Sequence, residues 1–416
     1  MKIAIVHDWL VTYAGAERVL AEMIQCYPDA DVFAVIDFLK PSEREFLKHK
    51  VVQTTWIQNL PGAQKHYQRY LPLMPWAMKS LDLHAYDLVI SSSHAVAKGV
   101  SLEPHQLHVC MCYTPMRYAW DLREAYLKQA GLNTGMKGWL ANLVLERLRK
   151  WDFKNSQKVH QFIAISEYIA DRIERCYGRN SVVVYPPVDV ESFSIKTAAA
   201  DNYFITASRL VPYKNVALIV KAFSLMPDKR LKVVGTGSEF QTCQLLAGPN
   251  VEMLGFLSHA ALKSEIQKAK AFVFAADEDF GIAPLEAQAC GTPVIAFAKG
   301  GALETVRVQD RPTGMFFQEQ LLANRRQVLR LAAAAGALTL PLAGRTQSTW
   351  PTKPVNLVVP FPAGGGTDAF ARPLSAQFAK QTGKTMVIDN RGGAGGTLGA
   401  GVAAKAAPDG YTLFMG

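Results

Sequence analysis

The sequence predicts an α/β protein of two doubly wound domains in tandem, each a mostly parallel sheet, with a cleft between them. Three observations carry this. Short runs that are apolar on both faces alternate with amphipathic helical stretches, which is the signature of βαβ units and parallel sheets. The alternation is broken by a Pro-Pro pair in "VVVYPPVDVESF" (182–193) and then restarts. The chain has 416 residues, 49% of them hydrophobic, enough for the cores of two or three domains.

In order, "KIAIVH" (2–7), "DVFAVI" (31–36), "DLVISSS" (87–93), "VCMCY" (109–113) and "FIAIS" (162–166) read as strands, with helical patterns at 16–26 and 167–176 among them. After the Pro-Pro break come "YFITAS" (203–208), a helix near 215–225, "LKVVGTG" (231–237), "VEMLGF" (251–256), "AFVFAA" (271–276), a helix at about 284–290 and "TPVIAF" (292–297). The start "MKIAIVHDWL" is a buried strand, without the cationic head and long apolar core of a signal peptide.

Charged residues make up 19%, which excludes a disordered polyelectrolyte, and the formal net charge of +10 suggests anionic partners without choosing among nucleotide phosphates, acidic lipids and nucleic acid. All six cysteines fall within the first 290 residues. Cys110 and Cys112 form the one close pair, and no further ligands stand at metal spacing, so buried, reduced thiols and a cytoplasmic location are expected.

The character changes after about residue 320. "NRRQVLRLAAAAGALTLPLAGRTQSTWP" (324–351) has the layout of a twin-arginine export signal, or is an ordinary Ala-rich helix. Its apolar run is short and interrupted for a membrane span. Twelve of the 30 glycines lie beyond residue 360, which marks a separate module from near Trp350. The divisions expected are 1–185, 186–320, 321–349 and 350–416.

The chemistry-bearing residues gather at strand exits, where open α/β sheets bind ligands. In "DEDFGIAPLEAQACGTPVIA" (277–296), Glu278 follows a strand, Gly281 admits a ligand close to backbone, and Pro284 and Glu286 fall in the first turn of a helix whose free N–H groups form an anion site. The plainer reading is a solvated Glu278 and a Glu286 that complements the helix dipole. Arg209 and Lys214 in "ASRLVPYKN" (207–215) follow the first strand of the second domain and could clamp a diphosphate, or be surface cations. Gly235 in "VVGTGSEF" is a weak phosphate-loop signal. Gly15 in "HDWLVTYAGAERVL" either admits a phosphate or closes a turn. His94 follows a strand and faces the cleft if the sheet order is the usual one, or is structural. Arg117, Tyr118, Trp120 and Asp121 in "CYTPMRYAWDLREAY" (112–126) suit a sugar or lipid-phosphate acceptor, and equally ordinary packing. The D-x-D strings Asp29–Asp31 and Asp277–Asp279 read as incidental. "LERLRKWDFKNSQK" (145–158), with Trp151, is a solvated helix face or a surface for acidic membrane.

Taken together, "SRL…K", "ISEYIADRI" (165–173), "VVYPPVDVESF" (183–193), "VVGTGSE" and "EDFGIAPLEAQACGTPVIAFAKGGALETV" (278–306), with its acidic E-x7-E spacing, fall in the order found in one family. Residues 1 to about 320 resemble the retaining glycosyltransferases of the GT-B fold, of the family-4 type that includes mannosyl- and galactosyltransferases of cell-envelope polysaccharides. The resemblance implies that Arg209 and Lys214 bind the donor diphosphate, that Glu286 holds the ribose and that Glu278 lies near the transferred sugar. It implies that backbone at Phe280, Gly281, Ile282, Ala283 and Gly15 touches phosphate or sugar, and that His94 sits near the donor sugar. A nucleotide sugar, GDP- or UDP-linked, is the implied donor, a saccharide or lipid-linked molecule the acceptor, with retention of configuration, no metal, no nucleic acid and peripheral contact with the inner membrane. The sequence departs from the pattern at Ala14, where a second glycine is frequent, and at Tyr113, where near relatives often carry His. The family pattern also continues past residue 320, so the second domain is expected to be incomplete.

Residues from about 324 resemble the start of a tripartite tricarboxylate transporter solute-binding protein, in "PVNLVVPFPAGGGTDAFARPL" (354–374) and "VIDNRGGAGGTLGAGVAAKAAPDGYTLFMG" (387–416). There the resemblance implies carboxylate binding by backbone amides of the Gly364–Asp368 loop and the loop near Gly395. The competing expectations are therefore a periplasmic binding protein for small carboxylates, or an inactive fusion of two gene fragments.

Overall fold

The structure, a computed structural model, describes residues 1–416 except 122, 130, 133, 196–200, 310, 321–350, 365, 394–395, 408–409 and 416. The export-signal-like segment and Gly395 therefore lie outside the described residues. The chain divides into two compact units, Met1–Thr339 and Leu340–Gly416.

The first unit contains two sheets. One is seven-stranded: β1 (Ile3–His7), β2 (Asp31–Ala34), β3 (Val52–Thr54), β4 (Leu88–Ser93), β5 (Leu107–Cys112), β6 (Gln161–Ala164) and β7 (Ser181–Val183), in the order β3-β2-β1-β4-β5-β6-β7. The other is six-stranded: β8 (Tyr203–Ala207), β9 (Arg230–Val234), β10 (Val251–Gly255), β11 (Ala271–Phe274), β12 (Val294–Phe297) and β13 (Gly314–Phe317), in the order β10-β9-β8-β11-β12-β13. All pairings in both are parallel. Each sheet reverses its winding beside its first strand, between β1 and β4 and between β8 and β11. Those are the places where an open α/β sheet leaves a crevice at its carboxyl edge.

Burial on both faces explains the unbroken apolar runs. Ala4 and Val6 pack on one face with Phe33 and Val89, while Ile5 packs on the other with Leu20, Ile24 and Val32. The second sheet repeats this, with Phe204, Val233 and Val273 on one face and Ile205, Val234 and Phe272 on the other. The period of two sends alternate side chains to opposite cores. The expected helices form over Gly15–Cys26, Glu167–Tyr177 and Val216–Ser224. The short outer strands β3 and β7 and the pairing of β13 were not foreseen. The first two have no fully buried residue, so they lack the apolar run that marks a strand.

Two sequence expectations are corrected. The helix expected at 284–290 spans Ile282–Ala289, because Gly281 takes φ +88° and turns the chain two residues earlier. Glu286 therefore sits in the second turn, where it does not complement the dipole of the helix start. Trp151, on the helix Gly135–Ser156, is no lipid-facing residue. It packs into the core, and a Cβ on Gly99 would overlap its indole. The cysteines are free, and all but Cys26 are buried.

The second unit has a three-stranded parallel sheet of β14 (Val355–Val359), β15 (Met386–Asn390) and β16 (Thr412–Phe414), in the order β15-β14-β16. Ala371 of the helix Gly366–Thr382 packs against Val355, Leu357, Val359 and Met386. Among the described residues no helix is long and apolar enough to cross a membrane.

Candidate functional site

The exits of β1, β8, β9 and β11 meet around a cavity of about 430 Å³ in the first unit. Gly15, Arg209, Gly235, Ile282, Ala283 and Glu286 line it, together with Arg18, Ser208, Thr236 and Phe256. Six residues singled out in the sequence, from four separate segments, thus share one cavity. Gly15 faces Ile282, whose Cδ1 lies 3.6 Å from where a Cβ on Gly15 would stand. Gly235 has φ +126°, and a Cβ there would overlap the Ser208 carbonyl, so this loop crosses the Arg209 loop only as glycine. The Glu286 carboxylate accepts from Arg18 Nη1 at 3.3 Å, across the two sheets.

Lys214 and Glu278 form an ion pair beside this cavity. Burial, with the positive charges of Arg117 and Arg209, pushes the Lys214 ammonium down to about 7, and the Glu278 carboxylate it touches opposes this. The flanking carboxylates are also engaged. Asp277 accepts from Tyr168 Oη at 2.9 Å and pairs with Lys299 Nζ at 2.8 Å. Asp279 pairs with Arg117 and with Arg172 Nη1, the latter at 2.8 Å. The helix Glu167–Tyr177 offers its first amides, of Glu167 and Tyr168, to the Glu304 carboxylate at 2.8 and 2.9 Å. Phe280 stacks on Tyr185, with ring centroids 5.6 Å apart. The D-x-D pair Asp277 and Asp279 that reads as incidental is thus where the two sheets grip each other. Among the described residues, no group of three or more His, Cys, Asp or Glu side chains could hold a metal ion.

His94 lies at the exit of β4 with its Nδ1 3.0 Å from Asp8 Oδ2 and its ring edge-on to Trp9 at 4.6 Å. Asp8 went unnoticed in the sequence, yet it organises this loop. Its buried carboxylate accepts the amides of His94, Ala95, Val96 and Ala97 at 2.6 to 2.9 Å. Burial opposes ionisation of Asp8, but His94, its amide, His7 and Lys98 outweigh it and hold the carboxyl below the usual range. Burial likewise lowers the His94 imidazole, and the Asp8 charge opposes that. Behind them His7 Nδ1 and Ser92 Oγ lie 2.8 Å apart, Ser92 Oγ and Tyr113 Oη 2.9 Å apart, and Tyr113 Oη donates to the Ala16 carbonyl at 3.1 Å. The histidine expected at 113 is replaced by a phenol that ties β4 to the Gly15 helix.

The four acceptor-side candidates are not brought together into one open site. Trp120 Nε1 donates to buried Asp152 at 2.8 Å, which also pairs with Lys98 at 2.7 Å and accepts from Tyr177 Oη at 2.6 Å. Asp121 pairs with Arg172 Nε at 2.9 Å. Tyr118 packs edge-on to Tyr126 at 4.8 Å. Arg117 alone faces the second sheet, on Asp279 and over Tyr213. No sequence pattern announced Lys98, Asp152 or Arg172, because each acquires its partner only through the fold.

In the second unit Asp368 is buried and accepts from the Gly364 amide at 2.8 Å, Arg372 Nε at 2.8 Å and Asn390 Nδ2 at 3.1 Å. The Gly364 amide is thus bonded to the chain's own carboxylate.

Residues 13–192 match Glycosyltransferase Family 4, residues 187–325 match Glycosyl transferases group 1, and residues 370–416 match the Tripartite tricarboxylate transporter family receptor. The GDP-mannose-dependent monoacylated alpha-(1-6)-phosphatidylinositol monomannoside mannosyltransferase of Corynebacterium glutamicum is 34% identical over 172 residues, covering 34% of this chain and 45% of that protein. Protein BugT of Bordetella pertussis is 39% identical over 88 residues, 21% of this chain and 26% of that protein. The chain thus spans less than half of the length of either relative. Among solved structures, Anabaena HepE in complex with UDP has a TM-score of 0.56 at 18% identity, covering 82% of this chain and 94% of that one. Sucrose-phosphate synthase from Thermosynechococcus elongatus has a TM-score of 0.57 at 18% identity, covering 82% and 92%. Residues 13–325 are therefore glycosyltransferase family 4 and group 1 domains in a GT-B fold, and the chain carries a segment of the tripartite tricarboxylate transporter receptor family near its C-terminus.

Proposed function

We propose that residues 13–325 transfer a hexose, of the mannose type, from a nucleotide sugar to a saccharide or lipid-linked acceptor with retention of configuration, in cell-envelope polysaccharide synthesis. The observation that carries this is the shared cavity, where Arg209, the Gly15 and Gly235 loops, the start of the helix Ile282–Ala289 and Glu286 converge beside the Lys214–Glu278 pair. Cations and backbone amides stand where a leaving diphosphate accumulates charge, and carboxylates where sugar hydroxyls need acceptors. In this reading Arg209 and Lys214 hold the diphosphate, Glu286 the ribose and Glu278 the transferred sugar, with His94 near its anomeric end. The cations do the work a metal does in other transferases. The GDP-mannose dependence of the Corynebacterium glutamicum mannosyltransferase and the UDP bound by the structurally similar HepE support a nucleotide-sugar donor of either base. The reading places the chain in the cytoplasm at the inner membrane, which is supported by exposed Met136, Trp139 and Leu140 on the basic helix Gly135–Ser156.

The test is incubation of the full chain with GDP-mannose, UDP-glucose and UDP-galactose, followed by nuclear magnetic resonance of the released sugar. Release of nucleoside diphosphate with the α-hexose appearing first supports the reading. Release of the β-hexose first would refute retention, and no release with any donor would refute the transferase.

The other reading, a receptor for small carboxylates, rests on residues 370–416 alone. The bonding of Asp368 to the Gly364 amide disfavours a free anion there. We infer instead that two gene fragments are joined in this chain.

A further inference from the structure

Arg117 follows β5 in the first sheet and Lys214 follows β8 in the second, yet both flank one ring. The Arg117 guanidinium carbon is 5.6 Å and the Lys214 ammonium 5.4 Å from the centre of Tyr213. Each cation is met by a carboxylate of one short run, Arg117 by Asp279 and Lys214 by Glu278. Asp279 does not depend on Arg117, because Arg172 Nη1 also holds it at 2.8 Å. Arg172 is in turn fixed by Asp121 at 2.9 Å and by Thr114 Oγ1 at 2.9 Å. Removing Arg117 would leave no bare charge on Asp279, whereas Arg117 is largely buried and charged and so needs an anion.

We infer that Arg117 is a third anion-binding residue of the cleft, which takes a substrate phosphate beside Lys214 and rests on Asp279 between turnovers. This deepens the transferase reading and rests on it for the identity of the substrate. The phosphate can come from the donor diphosphate or from a phosphate-bearing acceptor. A guanidinium offers two parallel donors to either.

The experiment is calorimetric titration of inorganic pyrophosphate, UDP and GDP into the full natural chain and its Arg117→Gln, Arg117→Lys and Asp279→Asn variants. Arg117→Gln is expected to weaken pyrophosphate about tenfold or more, and Arg117→Lys to recover part of that. Asp279→Asn is expected to leave affinity unchanged or raise it, since it removes a competing carboxylate. Parallel weakening of UDP or GDP assigns the donor phosphate. Weakening of pyrophosphate alone assigns a phosphate on the acceptor. No pyrophosphate binding to the natural chain, or less than a twofold change in Arg117→Gln, overturns the inference. So does equal weakening in Arg117→Gln and Asp279→Asn, which would make the pair a clasp between the sheets and nothing more. Pyrophosphate binding requires no transfer. Arg117-dependent binding without turnover would sink the transferase reading alone, and unchanged pyrophosphate binding in Arg117→Gln with turnover intact would sink this inference alone.

Discussion

Lys214 and Glu278 touch, although one follows β8 and the other follows β11 of the same sheet. The contact occupies both a cation suited to phosphate and a carboxylate suited to sugar hydroxyls, so an incoming donor must part them.

That exchange gives a pH dependence whose sign is fixed. Burial and the charges of Arg117 and Arg209 lower the Lys214 ammonium to about 7 from the ordinary lysine value of 10.5. Between those values the unfolded chain binds the proton more than the folded chain does, so this group makes the unliganded fold more stable as pH rises from 7. A diphosphate needs the charged ammonium, so its affinity should fall over the same interval. Calorimetry at pH 6.5 and 8.5 should show weaker nucleotide binding at the higher pH, with proton uptake on binding. Affinity independent of pH would mean that the Glu278 carboxylate keeps Lys214 charged across this interval.

Glu286 lines the cavity, and its carboxylate accepts from Arg18 Nη1 at 3.3 Å. Glu286→Ala should abolish nucleotide-dependent transfer while leaving the fold intact. A hydrogen bond from a hydroxyl to a charged acceptor is worth about 1.5–3 kcal/mol, so donor affinity alone should drop about tenfold to a hundredfold. Steady-state kinetics and circular dichroism check this, and unchanged turnover refutes the role.

Asp8 satisfies the amides of His94 through Ala97 and holds the His94 ring. Asp8→Ala should cost about 3–5 kcal/mol, because it strands buried amides and a histidine together. Thermal unfolding should show a marked fall in Tm. A loss of activity without one would mean that Asp8 acts in chemistry and not in building the loop.

Lys98 and Asp152 form a fully buried pair at 2.7 Å. Lys98→Met alone should cost about 3–5 kcal/mol by leaving a bare carboxylate, and adding Asp152→Leu should recover part of it. Recovery should be incomplete, since Trp120 and Tyr177 also donate to Asp152. Denaturant unfolding of both singles and the double closes the cycle.

The parts of the fold legible in the sequence were those that local chemistry marks. Runs such as "KIAIVH" and "AFVFAA" announce strands because both faces are buried, and Gly281 with Pro284 announces a helix start. The cavity lining at Gly15, Arg209, Gly235 and Glu286 was legible because strand exits are where a parallel sheet gathers ligand contacts. The contacts that lock the cleft were not. Asp279 with Arg172 is a pairing 107 residues apart in sequence, and Arg18 with Glu286 is one 268 apart, which no local pattern encodes. Trp120 and Trp151 misled for a related reason: an aromatic in a basic stretch looks the same whether it meets a ligand or the core.

The central claim is that this cleft holds a nucleoside diphosphate, and titration of UDP and of GDP into the full chain, beside Lys214→Ala, tests it most directly. The account predicts that one of the two nucleotides binds the natural chain and that Lys214→Ala weakens it at least about tenfold. Binding of neither nucleotide, or equal binding by the variant, would contradict it.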